Sequence, residues 1–221
     1  MILILAESSL ELIPRELWSH PSVVADSKKR KKQPGEIILD RARHHHAMKN
    51  LQEAAKRGRP DIVHQSLLFF QYSLLNKKGL GRVYIHTYGD YVIEVDPTTR
   101  IPKNYINFIG LFEQLFKEGA VPRGRPPLLK IKKLDLRSLL KELGDIWLVL
   151  HESGERKSLW DLGRALINSV VVVGGFPHGD FKNKWLLEKA GGIYKIGDES
   201  LDTAQVVCRA VAAAEAAAGL T

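Results

Sequence analysis

The sequence predicts an α/β protein with a mainly parallel sheet flanked by helices and a β-hairpin extension. Three observations carry this. From Leu128 onward, short apolar runs alternate with single helical patterns, and such alternation builds parallel strands joined by crossover helices. Val170-Val171-Val172-Val173 has no polar alternation, so it reads as a strand buried on both faces, and the glycines that follow let the chain turn sharply. Two β-rich runs, 81–87 and 91–95, flank Tyr88-Gly89-Asp90, which reads as a hairpin with a three-residue turn.

The chain of 221 residues has 33 Lys and Arg against 25 Asp and Glu, a net charge of +8. That length suits one large α/β domain or two small ones. The charge favours an anionic partner, nucleic acid first. Cys208 is the only cysteine, which leaves no intramolecular disulfide and no cysteine zinc cluster and points to a reducing, cytoplasmic setting. Residues 1–6 are too short and lack the basic start of a signal segment, so they read as a first buried strand. No apolar run approaches the roughly 20 residues of a membrane span.

In chain order, residues 10–18 show helical spacing around Pro14, which limits or kinks any helix. Residues 27–35 hold five consecutive basic residues and end in Pro34-Gly35; like charges in a row predict a mobile loop, solvated or touching phosphates. A short strand at 37–40 leads to a helix over about 41–56. His44, His45 and His46 open it, and on a helix they diverge by about 100° each, so no common metal is expected. Arg57 to Asp61 breaks that helix and starts another over 62–75, with Pro60 and Asp61 suited to a first turn.

After the hairpin, a proline-fixed loop carrying Arg100 and Lys103 enters a helix over about 104–117. A basic connector follows at 119–127. Strands are then expected at 128–133, 146–151, 169–173 and 192–196. Helices are expected at 136–143, 158–167, 180–189 and 201–218, the last capped by Asp198 or Ser200 and closed by Gly219. Its alanines, Ala212 to Ala214 and Ala216 to Ala218, suit either close core packing or a dimer face.

Strand ends in such sheets hold cofactors. Gly174-Gly175 is not followed by Gly-Lys-Ser/Thr and fails G-x-G-x-x-G, and neither a G-x-S-x-G elbow nor an H-E-x-x-H helix occurs, which disfavours triphosphate, dinucleotide, serine-hydrolase and zinc-protease chemistry. Backbone amides, carbonyls and an apolar pocket remain, and these suit adenosine with a neutral or cationic tail.

Several segments occur in a characteristic order: Arg57-Gly58-Arg59-Pro60-Asp61-Ile62-Val63-His64-Gln65-Ser66-Leu67-Leu68, Ser73-Leu74-Leu75-Asn76-Lys77, Val83-Tyr84-Ile85-His86-Thr87, Ile93-Glu94-Val95, and Arg100-Ile101-Pro102-Lys103 to Gly110-Leu111. In these the chain resembles the ribosome-biogenesis pseudouridine N1-methyltransferases of the SPOUT class over nearly its whole length. The resemblance implies methyl transfer from S-adenosylmethionine to N1 of a pseudouridine in a small-subunit ribosomal RNA hairpin, with a role in small-subunit biogenesis. It implies a homodimer, other assembly factors or ribosomal proteins as partners, and a nucleolar location in eukaryotic relatives. It also implies a single domain over 1–221 with a C-terminal trefoil knot binding cofactor at about 146–210, although threaded connections are nearly absent from proteins. An RNA-binding assembly chaperone with little catalysis is the alternative.

By the same resemblance, cofactor contacts fall on Leu150, His151, Gly174, Gly175, Phe176, Gly179, Ile196, Leu201, Thr203 and Ala204. Ser200 stands where relatives carry proline. RNA contacts fall on Arg59, Arg100, Lys103 and Asn107, and Lys103 and Asn107 replace arginines. A lysine offers a point charge where an arginine offers a fork, so some RNA affinity is expected to shift to Arg57 or to residues 28–32. Arg59 is the candidate for orienting the base or a phosphate. Asp61 suits either acceptance of the N1 proton or pairing with an arginine at the helix start, and both stay open.

Overall fold

The protein, described over residues 1–221 by a computed structural model, is organised on eight strands. These are β1 (Ile2–Ser8), β2 (Arg82–Thr87), β3 (Tyr91–Val95), β4 (Ala120–Val121), β5 (Leu129–Lys133), β6 (Trp147–Arg156), β7 (Val170–Gly174) and β8 (Gly192–Lys195), in the order β4-β5-β3-β2-β1-β7-β6-β8. The five strands from β2 to β8 run parallel. β3, β5 and β4 form an antiparallel wing. The strand expected to open the parallel half, β5, therefore belongs to the wing, with Ile131 opposite Ile93. Its alternation, Lys130 and Lys132 exposed between Leu129 and Ile131, is the pattern of an antiparallel strand with one wet face.

Helices α1 (Pro21–Arg30), α2 (Arg41–His44), α3 (Pro60–Gln71), α4 (Leu74–Lys77), α5 (Tyr105–Glu118), α6 (Leu136–Leu143), α7 (Leu159–Leu166), α8 (Trp185–Glu188) and α9 (Thr203–Ala217) cover the sheet. Alternate residues of the central strands serve two layers. Leu3, Leu5, Val171 and Val173 pack with Phe70, Phe108, Leu162 and Val207 of α3, α5, α7 and α9. Ile4, Ala6, Val170 and Val172 pack with Leu139 of α6 and Leu186 of α8. Val171 and Val172 are thus both fully buried, each worth about 1.5–3 kcal/mol relative to exposure. A third cluster, including Ile13, Val23, Leu39 and Met48, is the core of the N-terminal lobe.

That lobe departs most from expectation. Residues 10–18 form only a 3-10 turn, Arg15–Leu17, and the strand expected at 37–40 is a single bridge between Leu12 and Ile38. The helix expected over 41–56 breaks into α2 and two 3-10 turns, with Glu53 in the left-handed region at φ 51°. His44 is buried and accepts from the Asp40 N–H, while the rings of the exposed His45 and His46 lie 3.9 Å apart, tilted by 39°. The basic run is no mobile loop. Lys28, Lys29 and Arg30 finish α1, Lys31 is its left-handed cap, and Arg30 and Lys32 grip the buried Glu113 of α5 at 2.7 and 2.6 Å.

In the C-terminal half the expected helix at 180–189 shrinks to the single turn α8, and the segment before it is held by the Glu7 carboxylate, which accepts from the backbone N–H groups of Lys182 and Asn183 at 2.6 and 2.9 Å. α9 starts after Asp202 rather than Asp198 or Ser200. Its alanines serve internal packing: Ala213 and Ala214 are fully buried, and a Cβ on Gly163 of α7 would lie 2.6 Å from the Ala213 carbonyl carbon. The chain passes from β6 to neighbouring β7, then to β8 on the far side of β6, and returns to set α9 against β7.

Candidate functional site

The ends of the parallel strands β7 and β8 and the middle of β6 meet at a cleft of about 480 Å³, the position at which open α/β sheets bind ligands. Three chain segments wall it. Leu150 and His151 come from β6, Gly174 from the end of β7 with Phe176 and Gly179 from the turn after it, and Ile196 and Leu201 from the approach to α9 with Thr203 from its first turn. Eight of the ten residues expected at the cofactor thus line one space. Gly179 has φ +81°, which a side chain at that turn would strain.

Gly175 and Ala204 do not line it. Gly175 is turned onto the end of β1: its N–H donates to Ala6 at 2.8 Å, its carbonyl accepts from Ser9 at 2.9 Å, and a Cβ there would lie 2.9 Å from the Ser8 Cα. Ala204 is buried in the first turn of α9. Val173, Asp180, Phe181, Lys195 and Val206 line the cleft without having been foreseen. Val206 was findable, being three residues after Thr203 on the same helix face. Asp180 was masked by its expected role as a helix start.

Short polar contacts hold the walls. The Thr203 hydroxyl donates to the Gly174 carbonyl at 2.7 Å and ties the start of α9 to the end of β7. His151 Nε2 lies 3.3 Å from Asp180 Oδ1, and its Nδ1 is 2.8 Å from the Ser153 hydroxyl. Burial pushes the Asp180 carboxyl upward, but the hydrogen bonds from Lys184 and the Phe181 N–H outweigh it and hold the group below the usual range. Phe176 meets Phe181 edge-on at 5.4 Å. Besides this apolar wall, the lining carries Glu152, Asp180 and Glu199, and its one lysine, Lys195, is 3.1 Å from Asp198. Apolar walls, backbone carbonyls and carboxylates fit a nucleoside with a cationic tail better than a polyphosphate.

The arginines separate into two kinds. Arg57 is buried, forks onto Glu11 at 2.7 Å through both contacts, and lies 4.6 Å from the Tyr88 ring. Its guanidinium is engaged internally, so the expected RNA contact at Arg57 is corrected. Arg59, the residue before α3, is partly exposed and forks onto Asp61 at 2.8 Å through both contacts. The Asp61 hydrogen bond chiefly raises the guanidinium's hold on its proton, and Asp202 adds to the field. Arg59 immediately precedes α3, which packs against α9, the helix whose residues Thr203 and Val206 line the cleft. Arg100, Lys103 and Asn107 are exposed around the entry to α5, with the Lys103 ammonium 5.6 Å from the Tyr72 ring.

Comparison with known proteins agrees with this geometry. The family model described as EMG1/NEP1 methyltransferase matches residues 3–215. The ribosomal RNA small subunit methyltransferase Nep1 of Pyrobaculum islandicum is 67% identical over 220 residues, 100% of each chain. The protein of the same name from Staphylothermus marinus is 43% identical over 217 residues, 96% of this chain and 94% of that one. The crystal structure of Archaeoglobus fulgidus Nep1 bound to S-adenosylhomocysteine superimposes with a TM-score of 0.87 at 38% identity, covering 99% of this chain and 98% of that one. With a match over almost its full length in sequence and in fold, the chain belongs to the EMG1/NEP1 methyltransferase family.

Proposed function

We propose that this protein transfers the methyl group of S-adenosylmethionine to N1 of a pseudouridine in a small-subunit ribosomal RNA hairpin, as a homodimer acting in small-subunit biogenesis. The observation that carries the reading is the cleft walled by the ends of β7 and β8, the middle of β6 and the start of α9, against which α3, opened by the Arg59–Asp61 pair, packs. Its relatives are ribosomal RNA small subunit methyltransferases, and one related structure holds S-adenosylhomocysteine. The whole chain acts as one domain, which the continuous sheet from Ile2 to Lys195 supports. The crossing of the chain between β7, β8 and α9 supports a trefoil knot over about 146–210. No helix is long and apolar enough to cross a membrane, and a cytoplasmic site of action, with other assembly factors as partners, accords with ribosomal RNA as substrate.

When bound, S-adenosylmethionine supplies an electrophilic methyl group on a sulfonium. Leu150, Phe176, Ile196 and Leu201 form the apolar wall for its adenosine, and Glu152, Asp180 and Glu199 favour its positive charge. Pseudouridine is a C-glycoside, so its N1 carries a proton that must be released to solvent as the new N–C bond forms and the methyl–sulfur bond breaks to leave the neutral thioether. Positioning and polar stabilisation of negative charge on the base therefore set the rate. Arg59 orients the base or its phosphate, and Arg100, Lys103 and Asn107 hold the flanking backbone. Because both Asp61 oxygens receive the Arg59 fork, Asp61 acts by fixing that arginine.

The test incubates the protein and S-adenosylmethionine with two RNA hairpins that differ only in uridine or pseudouridine at one position and reads products by mass. Methylation of the pseudouridine hairpin alone is expected. Methylation of both would overturn the specificity, and tight binding of both without product would establish the assembly-chaperone reading instead.

A further inference from the structure

The turn from Gly175 to Asp180 supplies Phe176, Gly179 and Asp180 to the cleft, yet it contains no regular secondary structure of its own. A turn of this kind samples many conformations unless its ends are held, and a ligand that must order it binds more weakly. Here both ends are held by the N-terminal part of the chain. The Ser9 N–H donates to the Gly175 carbonyl at 2.9 Å. The Ser9 hydroxyl donates to the Lys56 carbonyl, and the Lys56 ammonium donates to the Asp180 carbonyl. These three bonds close a circuit, Gly175 to Ser9 to Lys56 to Asp180, around the turn.

Lys56 touches the turn in two further ways. Its ammonium stands 5.0 Å from the centre of the Phe176 ring, within the range of a favourable cation–aromatic contact. Its Cε lies 3.2 Å from where a Cβ on Gly179 would be, so the stem fills the outer face of the turn. Its own backbone is fixed, since its N–H donates to Glu53 at 2.9 Å and the following Arg57 is locked onto Glu11. Lys56 does not line the cleft.

We propose that Lys56 is a positioning residue for the cofactor cleft, closing a hydrogen-bonded bracket through Ser9 that holds the Gly175–Asp180 turn in its cofactor-binding shape. This rests on the reading of the cleft as the S-adenosylmethionine site. The bracket acts on cofactor affinity and leaves the RNA contacts at Arg59 and Arg100 untouched.

The experiment measures S-adenosylhomocysteine binding by calorimetry, KM for S-adenosylmethionine and kcat on the pseudouridine hairpin, and hairpin affinity, for the parent protein, Lys56→Met, Lys56→Arg and Ser9→Ala. Lys56→Met is expected to weaken S-adenosylhomocysteine and raise KM about tenfold, the scale of one charge-assisted hydrogen bond. Its kcat at saturating cofactor and its RNA affinity should stay within about twofold of the parent. Lys56→Arg, which keeps the charge and the donor, should recover most of the loss. Ser9→Ala, which opens the bracket elsewhere, should weaken the same ligand in the same direction. Parent-like S-adenosylhomocysteine affinity in a folded Lys56→Met protein would overturn the proposal. If that variant does not fold, parent-like affinity in Ser9→Ala overturns it equally. Failure of the parent itself to bind S-adenosylhomocysteine would overturn the cleft assignment and the bracket with it, a result distinct from either of these.

Discussion

Arg59 donates two hydrogen bonds of 2.8 Å to Asp61 across the single intervening Pro60. The pair is short-range and partly exposed, so it adds under about 1 kcal/mol to stability. Its consequence is orientation: one edge of the guanidinium is committed to Asp61. Arg59→Lys and Asp61→Asn should each lower kcat/KM for the RNA hairpin by about 10²-fold, the scale of a misplaced reacting group, with melting temperatures near the parent. If Asp61 acts through Arg59, the pH–rate profile of Asp61→Asn should keep its shape. Loss of an acidic limb in that variant, with hairpin affinity intact, would reinstate Asp61 as the proton acceptor.

Glu113 should give the protein a distinct acid sensitivity. Its carboxylate is buried and receives the Arg30 fork at 2.7 Å, Lys32 at 2.6 Å and the Ile38 N–H at 3.0 Å. Burial pushes its titration upward, and these hydrogen bonds overcome that and hold it below the ordinary 4.5. A folded-state value below the unfolded one means the unfolded chain binds more protons in that range. The stabilisation is therefore present above pH 4.5 and is lost as pH falls through the lower folded value. Glu113→Gln should cost about 3 kcal/mol at neutral pH, read from urea midpoints. The gap between variant and parent should narrow as the pH is taken below 4.5.

These two carboxylates show where the sequence was legible and where it was not. Local signals served well: the four valines of β7, the β2–β3 hairpin, the helix entered at about residue 104, and the ordering of the motifs around Arg59 and Arg100. Each depends on residues within a turn or two of one another. What escaped depends on partners far along the chain. Arg57 and Arg59 look alike in sequence, but Glu11, 46 residues earlier, takes Arg57 into the interior. The basic run reads as a loop until Glu113, more than 80 residues later, neutralises Arg30 and Lys32. The segment expected to open a helix at 180 is instead docked on Glu7, 175 residues before Lys182. Gly175 resembled a cofactor glycine for the same reason, since its neighbour Ser8 lies on β1.

The contact between Gly163 and Ala213 predicts how closely α7 and α9 must pack. A methyl group on Gly163 would overlap the Ala213 carbonyl, an atom of helix backbone that cannot step aside. The two helices would have to separate. Gly163→Ala should destabilise by about 1–3 kcal/mol, a fall of roughly 3–10 °C in melting temperature for a chain of this size. Thr203 at the start of α9 ties the cleft to Gly174, so cofactor affinity should fall as well. An unchanged melting temperature by calorimetry would refute the tight packing of these helices.

The structure also redistributes the expected electrostatic contribution of the basic segment. Arg30 and Lys32 are paired with Glu113, so neutralising either disturbs folding before it disturbs RNA binding. Lys28, Lys29 and Lys31 are different, since they lie on the last turn and cap of α1 and no hydrogen bond or ion pair occupies their ammonium groups. Phosphate contacts release counterions, and each one lost flattens the dependence of log affinity on log salt by about 0.7–0.9. If these three lysines reach RNA flanking the hairpin, the triple change of Lys28, Lys29 and Lys31 to alanine should reduce that slope by about 2 and leave cofactor affinity unaltered. Titrations from low to moderate salt on a hairpin with extended stems measure it. A slope equal to the parent's would confine RNA contact to the surface around Arg59 and Arg100, and the N-terminal lobe would then serve the cleft only through Ser9, Lys56 and the packing beneath them.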